Sequence, residues 1–166
     1  MGTIASLWAL VGIGGLLISA IYRLAPRAME SIHSGLTPWQ WTAMAAWILM
    51  MGVWEGYKGF QKQFCPRTAA RIRYLRDHPT PLRTLFAPFV GMGYIHAKRK
   101  TQITAICVTL GIVLLVVLVR FCPQPWRGII DAGVVVGLTW GTIALFIHTF
   151  LALTRPEYPH SPEVPE

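Results

Sequence analysis

The sequence predicts an all-α membrane protein, four transmembrane helices in an antiparallel bundle, and three observations predict it. Of 166 residues, 54% are apolar and 13% charged, with a mean hydropathy of +0.48; an ordinary soluble domain carries roughly twice that share of charge. The apolar residues gather into uncharged runs at Met1–Tyr22, Ser31–Trp54, Thr101–Val119 and Ala132–Thr154. Each can supply the ~20 residues that cross ~30 Å of hydrocarbon as a helix. Third, ten of the fifteen Lys and Arg residues lie between Lys58 and Lys100 beside a single acid, Asp77, which is how the positive-inside rule loads a loop that stays in the cytoplasm.

Span 1 covers about residues 3–22, with Gly12, Gly14, Gly15 and Ser19 as small residues that admit a close neighbour, and ends in the interfacial pair Tyr22-Arg23. Its start has no charged leader region and no small-residue cleavage site follows, so it is expected to stay as an anchor. Residues 24–38 form an outer loop closing on Thr37-Pro38-Trp39-Gln40, a capping-box start with proline in the first helical turn. Span 2 covers about 39–57 between Trp39 and Trp41 at one boundary and Trp54 and Tyr57 at the other. The helix extends to Phe64, where Cys65-Pro66 is expected to break it.

From Pro66 a second helix interleaves Arg67, Arg71, Arg73 and Arg76 with Ala69, Ala70, Ile72 and Leu75, an amphipathic pattern suited to lying on an anionic leaflet. The uncharged stretch 84–97 is too short to span, and Pro88, Gly91 and Gly93 interrupt it; it is expected to be interfacial, with a re-entrant loop as the second reading. Span 3 covers about 101–119. The short turn from Arg120 to Arg127 makes spans 3 and 4 antiparallel neighbours. Span 4 covers about 129–153 and carries Gly133, Gly137 and Gly141 along one face, a spacing that Gly52 and Gly56 repeat in span 2; glycine at every fourth position marks a close-packing seam. Residues 1–154 thus form one four-span domain with the basic loop 58–100, and the tail 155–166, rich in proline and acids, is expected to be disordered.

A net charge of +8 and a pI near 9.9 could suit a nucleic-acid partner, but the confinement of the excess to one loop points to topology instead, and no nucleic acid is expected. With loop 58–100 and Arg155 inside, eleven basic residues face four outside: Arg23, Arg27, Arg120 and Arg127. Both termini are then cytoplasmic, in a membrane of bacterial inner-membrane type. Cys65, Cys107 and Cys122 fall in three compartments, which forbids an intrachain disulfide, and no CxxC pair is present.

Charges buried in a bilayer are costly and mark function. Glu55 ends span 2 on the inner side, Asp131 begins span 4 on the outer side, and no span carries a charge at its centre, which argues against a carboxylate-driven transporter. Glu55, His96 and His148 are the one constellation of catalytic or metal-ligating type, all assigned to the cytoplasmic face; His96 and His148 are the candidate haem ligands. No HExxH, phosphate-cradling glycine loop or nucleophile elbow accompanies them, so no cofactor is predicted. The expected role is non-catalytic: an accessory, scaffold or assembly subunit. It would pack through its glycines against another membrane protein or a second copy, and present Arg67, Arg71, Arg73, Arg76, Lys98, Arg99 and Lys100 to a partner or to anionic lipid. A small channel or transporter is the alternative, and a metal- or haem-dependent membrane enzyme the second.

Overall fold

The computed structural model describes residues 1–165 and is mostly helical, with no strand among them. In chain order the elements are α1 (Gly2–His33), α2 (Pro38–Met51), a π-helical stretch (Gly52–Phe64), α3 (Cys65–Asp77), the short α4 (Pro81–Leu85) and α5 (Ala87–Met92), α6 (Arg99–Val119) and α7 (Trp126–Thr154). Three of these, α1, α6 and α7, are long and apolar enough to cross a membrane. The capping box at Thr37 is present. The Gln40 side chain accepts from the Thr37 backbone N–H at 2.9 Å, and Thr37 Oγ1 accepts from the Gln40 N–H at 3.4 Å.

Two sequence expectations about helix ends are corrected. The outer loop 24–38 shrinks to residues 34–37, because α1 runs through Tyr22 to His33 with Pro26 inside it. Packing overrides the charge signal: Ala28 and Ser31 are buried, and Gly128 of α7 lies so close that a Cβ there would sit 1.5 Å from Ser31 Oγ. Likewise Cys65-Pro66 does not break the second helix, which is unbroken from Pro38 to Asp77. Here the backbone returns from i→i+5 to i→i+4 bonding, and the change of register leaves a carbonyl unpaired in any case. Proline's missing N–H therefore costs least at that point.

These lengthened helices set the register of the whole molecule. Ser31 meets Gly128, and Gly14 meets Phe146, so α1 and α7 are antiparallel. Trp47 Nε1 donates to the Ile130 carbonyl at 3.1 Å, Trp140 Nε1 to Gln61 Oε1 at 2.7 Å and Arg76 to the Leu153 carbonyl at 2.7 Å, so the long second helix runs parallel to α7. Its apolar half therefore lies beside residues 24–33 of α1, and its basic half beside residues 2–17. Ile72 and Leu75, both fully buried, pack with Ala5 and Ala9 of α1, and Ser6 Oγ donates to the Ile72 carbonyl at 3.2 Å. The amphipathic helix expected on the leaflet surface is instead α3, standing upright inside the bundle.

Segment 84–97 folds in as well. Ala87, Val90 and Gly91 of α5 are buried against α1 and α3, and the Pro88 ring occupies the notch left by Gly12. Gly93 turns the chain away with φ +86°, a conformation glycine adopts freely. The remaining element behaves differently. No residue of α6 is buried, and Gly111 faces open space, so the expectation that spans 3 and 4 pack as neighbours is corrected. An apolar side chain at nearly every position, with no small-residue notch in contact, gives α6 nothing to lock against α7.

Candidate functional site

The glycines of α7 are sockets for the second helix. A Cβ at Gly133 would stand 2.4 Å from the Trp47 ring, one at Gly137 2.9 Å from Glu55 Oε2, and one at Gly141 2.4 Å from the Phe60 ring; Gly56 in turn takes Trp140. Gly52 makes only ordinary contact with Val136 at 3.9 Å. Glu55 therefore sits against the apolar length of α7, one turn below Trp47's socket and one above Phe60's, with Oε2 buried and unbonded among the described residues. It lies midway along the continuous helix Pro38–Asp77, opposite Gly137, whereas the sequence reading put it at the end of a span.

Glu55, His96 and His148 are not brought together. His148 lies eleven residues beyond Gly137 on α7, about 16 Å along the axis, and shares a 3.0 Å hydrogen bond through Nδ1 with the Tyr158 hydroxyl. His96, at φ +55° in the turn before α6, faces Tyr74 with Nε2 3.5 Å from the hydroxyl. Burial, and then the Arg83 charge, hold its pKa below the ordinary histidine value. No group of three or more His, Cys, Asp or Glu among the described residues is placed to hold one metal ion.

The arginines of α3 converge where the histidines do not. Arg73 donates to the carbonyls of Ala152 and Arg155 at 3.3 and 3.0 Å, and Arg76 to that of Leu153. Those of Ala152 and Leu153 are among the last, otherwise unpaired carbonyls of α7, where the helix dipole also favours cations, and Arg155 is the residue that caps it. Arg71 is 97% buried, its side chain only 3% exposed. It donates from Nε to the Pro162 carbonyl at 3.0 Å, from Nη1 to that of Gly91 at 3.3 Å and from Nη2 to Glu163 Oε2 at 3.3 Å. Burial lowers its pKa, and the Glu163 carboxylate opposes that shift.

The tail that makes these contacts has no helix or strand, as its prolines dictate, yet residues 155–165 lie across α3; residue 166, which closes the expected disordered segment, is outside the described residues. Between tail and helix runs an open groove of about 660 Å³ lined by Arg73, Tyr74, His78, Glu157, Tyr158 and His160. Burial, with the Cys65 thiol as a smaller cause, pushes the Tyr158 hydroxyl up to about 12. Tyr158, His160 and Glu163 were missed by sequence reasoning. The available signal was the pairing of an acidic tail with a basic loop.

Cys65 gives a direct test of this packing. It is fully buried against the Gly141 carbonyl, and burial pushes its thiol up to about 12, so the reactive thiolate is scarce near neutrality. Maleimide at pH 8 should label Cys122, half-buried in the turn after α6, within minutes and leave Cys65 untouched until denaturant is added. Equal labelling rates would show that α3 is not docked on α7. Compared with known proteins, the chain matches no family model, no curated protein and no solved structure.

Proposed function

We propose that the chain is an accessory, scaffold or assembly subunit of a membrane complex, crossing the bilayer four times with both termini and the basic loop 58–100 in the cytoplasm. One observation carries this reading, an exposed apolar surface with an exposed basic one beside it. Ile143, Phe146 and Ile147 of α7, with Val11 and Leu16 of α1, are exposed. Near the Gln61–Trp140 bond, Lys58, Lys62 and Gln63 are exposed as well. Lipid suits the apolar side. The basic surface, at the start of loop 58–100 and next to the apolar one, suits a polar or acidic face of another chain. The bare α6 offers that chain a second, apolar contact.

The same strip turned toward water between copies of this chain would make a channel, which is the second reading. Glu55, His96 and His148 lie apart, which favours both over an enzyme. Purification in mild detergent with mass measurement discriminates among them. A stable complex with a different protein, weakened by Lys58→Glu with Lys62→Glu, supports the subunit reading, whereas a discrete homo-oligomer with ion flux replaces it by the channel, and a monomer removes both.

Orientation is tested by labelling intact cells with an impermeant thiol reagent. Cys122 is expected to react and a cysteine introduced at exposed Thr80 to be protected, and the reverse pattern inverts the topology. Buried Cys65 is unsuitable as the reporter.

A further inference from the structure

We propose that Arg71, Arg67 and Thr101 form a binding site for a phosphate group, and that the tail's own Glu163 carboxylate occupies it as a displaceable internal ligand. The site is built from two separate elements. Arg71 and Arg67 come from α3, and Thr101 comes from the first turn of α6. All three aim at one carboxylate: Glu163 Oε2 accepts from Thr101 Oγ1 at 2.8 Å and from Arg71 Nη2 at 3.3 Å, and Oε1 lies 3.6 Å from Arg67 Nε. The Lys98 N–H then donates to the Glu163 carbonyl at 2.8 Å.

Three features distinguish this from a simple structural tie. Arg71 uses only one of its nitrogens on the carboxylate, so the parallel two-point pairing that makes Arg–carboxylate contacts strong is absent. Arg67 is too far for a hydrogen bond and half exposed, with its side chain 48% accessible. A tetrahedral oxyanion with more acceptor oxygens matches three donors spread over two helices better than a planar carboxylate does. Charge points the same way: Glu163 is the one acid bonded to a region where Lys98, Arg99 and Lys100 adjoin Thr101, leaving a positive surplus that a phosphate would balance more fully.

The plug itself is held under strain. Glu163 has φ +51°, a left-handed conformation that a non-glycine residue adopts only at a cost, in a segment with no helix or strand to keep it there. Displacing it relaxes that backbone and leaves Arg71 anchored to Gly91 by the Nη1 bond. The tail thereby reports on the anion: ligand in, tail released from α3 and α6.

The test uses the full-length protein in neutral detergent micelles, titrated with dioctanoyl phosphatidic acid, inorganic phosphate and, as a neutral-headgroup control, dioctanoyl phosphatidylcholine. Calorimetry reads binding, and hydrogen exchange of the Lys98 amide reads tail release. Phosphatidic acid is expected to speed exchange at Lys98 in the wild type. Glu163→Gln should bind it at least about tenfold more tightly, and adding Arg67→Gln should abolish most of that gain. Binding of inorganic phosphate as well would identify a site for the free group, and binding of the lipid alone a headgroup site. No gain in Glu163→Gln, a gain indifferent to Arg67→Gln, or equal binding of phosphatidylcholine would overturn the proposal. Should Glu163→Gln not fold, the wild type decides: Lys98 exchange unmoved by saturating phosphatidic acid and phosphate rejects it. Because none of these readouts involves a partner protein, failure here leaves the subunit reading standing, and the reverse.

Discussion

Gly141→Leu is expected to destabilise the protein by about 3 kcal/mol or more, since inserting side-chain carbons into a filled core costs about 1–3 kcal/mol even when neighbours adjust. At this position three atoms of the Phe60 ring lie 2.4–2.7 Å from where the Cβ would stand, near the root of a side chain that has no room to swing. The Phe60 ring is itself held edge-on by Phe64 at 5.6 Å. A loss of that size lowers the midpoint of thermal unfolding by roughly 6–12 °C for a chain of this length. Gly111→Leu on α6 is the matched control, because nothing lies within 4 Å of its Cβ, and it should be neutral or slightly stabilising as a helix-interior glycine is replaced. Gly137→Leu should behave like Gly141→Leu, and Val135→Leu, about half a turn away on α7, like the control. Equal melting of Gly141→Leu and Gly111→Leu would remove the seam between α7 and the long second helix.

Leu75→Ala is expected to cost about 2–5 kcal/mol, the range for emptying a filled core position. Leu75 has no exposed surface and packs with Ala5, Ala9, Ile72, Ala87 and Val90, so its removal opens a void shared by α1, α3 and α5. Leu82→Ala, at a position 72% exposed, should change stability by less than about 0.5 kcal/mol. This pair separates the two placements of the basic helix. A helix lying on a leaflet would keep Leu75 in lipid and make the two substitutions alike, whereas an upright helix in the bundle makes only Leu75→Ala severe. Thermal unfolding monitored by tryptophan fluorescence reads the difference, and exchange at the Lys98 amide should rise in Leu75→Ala as α3 loosens beneath the tail.

Much of the candidate site was beyond the reach of sequence reasoning, and the reason differs by residue. Glu55 was assigned to a membrane boundary because hydropathy measures depth from the nearest charge, Lys58, along the same helix. Its neighbour across the helix contact is Gly137, 82 positions later, and only the packing of α7 brings the two together. His96 and His148 were grouped by a shared side of the membrane, but one side of a bundle is a wide area, and each histidine found a tyrosine of its own, Tyr74 and Tyr158. Glu163 was invisible for the opposite reason: its segment has no periodic pattern at all, and its contacts to Arg71 and Thr101 are long-range and polar.

The sequence alone determined the helical class and the apolar helices α1, α6 and α7, because a run of some twenty uncharged residues is a local property that no tertiary contact is needed to create. It likewise determined the Thr37 cap, whose two hydrogen bonds close within four residues. Only the tertiary structure decided that α1 continues past Arg23 and Arg27, that the glycines of α7 receive Trp47, Glu55 and Phe60, that α3 stands beside the apolar half of α1 and that the tail returns to Arg71. Each of these turns on which surfaces fit at sequence separations of about 60 to 100 residues. A hydropathy pattern records how apolar a face is, whereas register is chosen by the shape of the notch opposite, as where Ser31 enters the space that Gly128 leaves open.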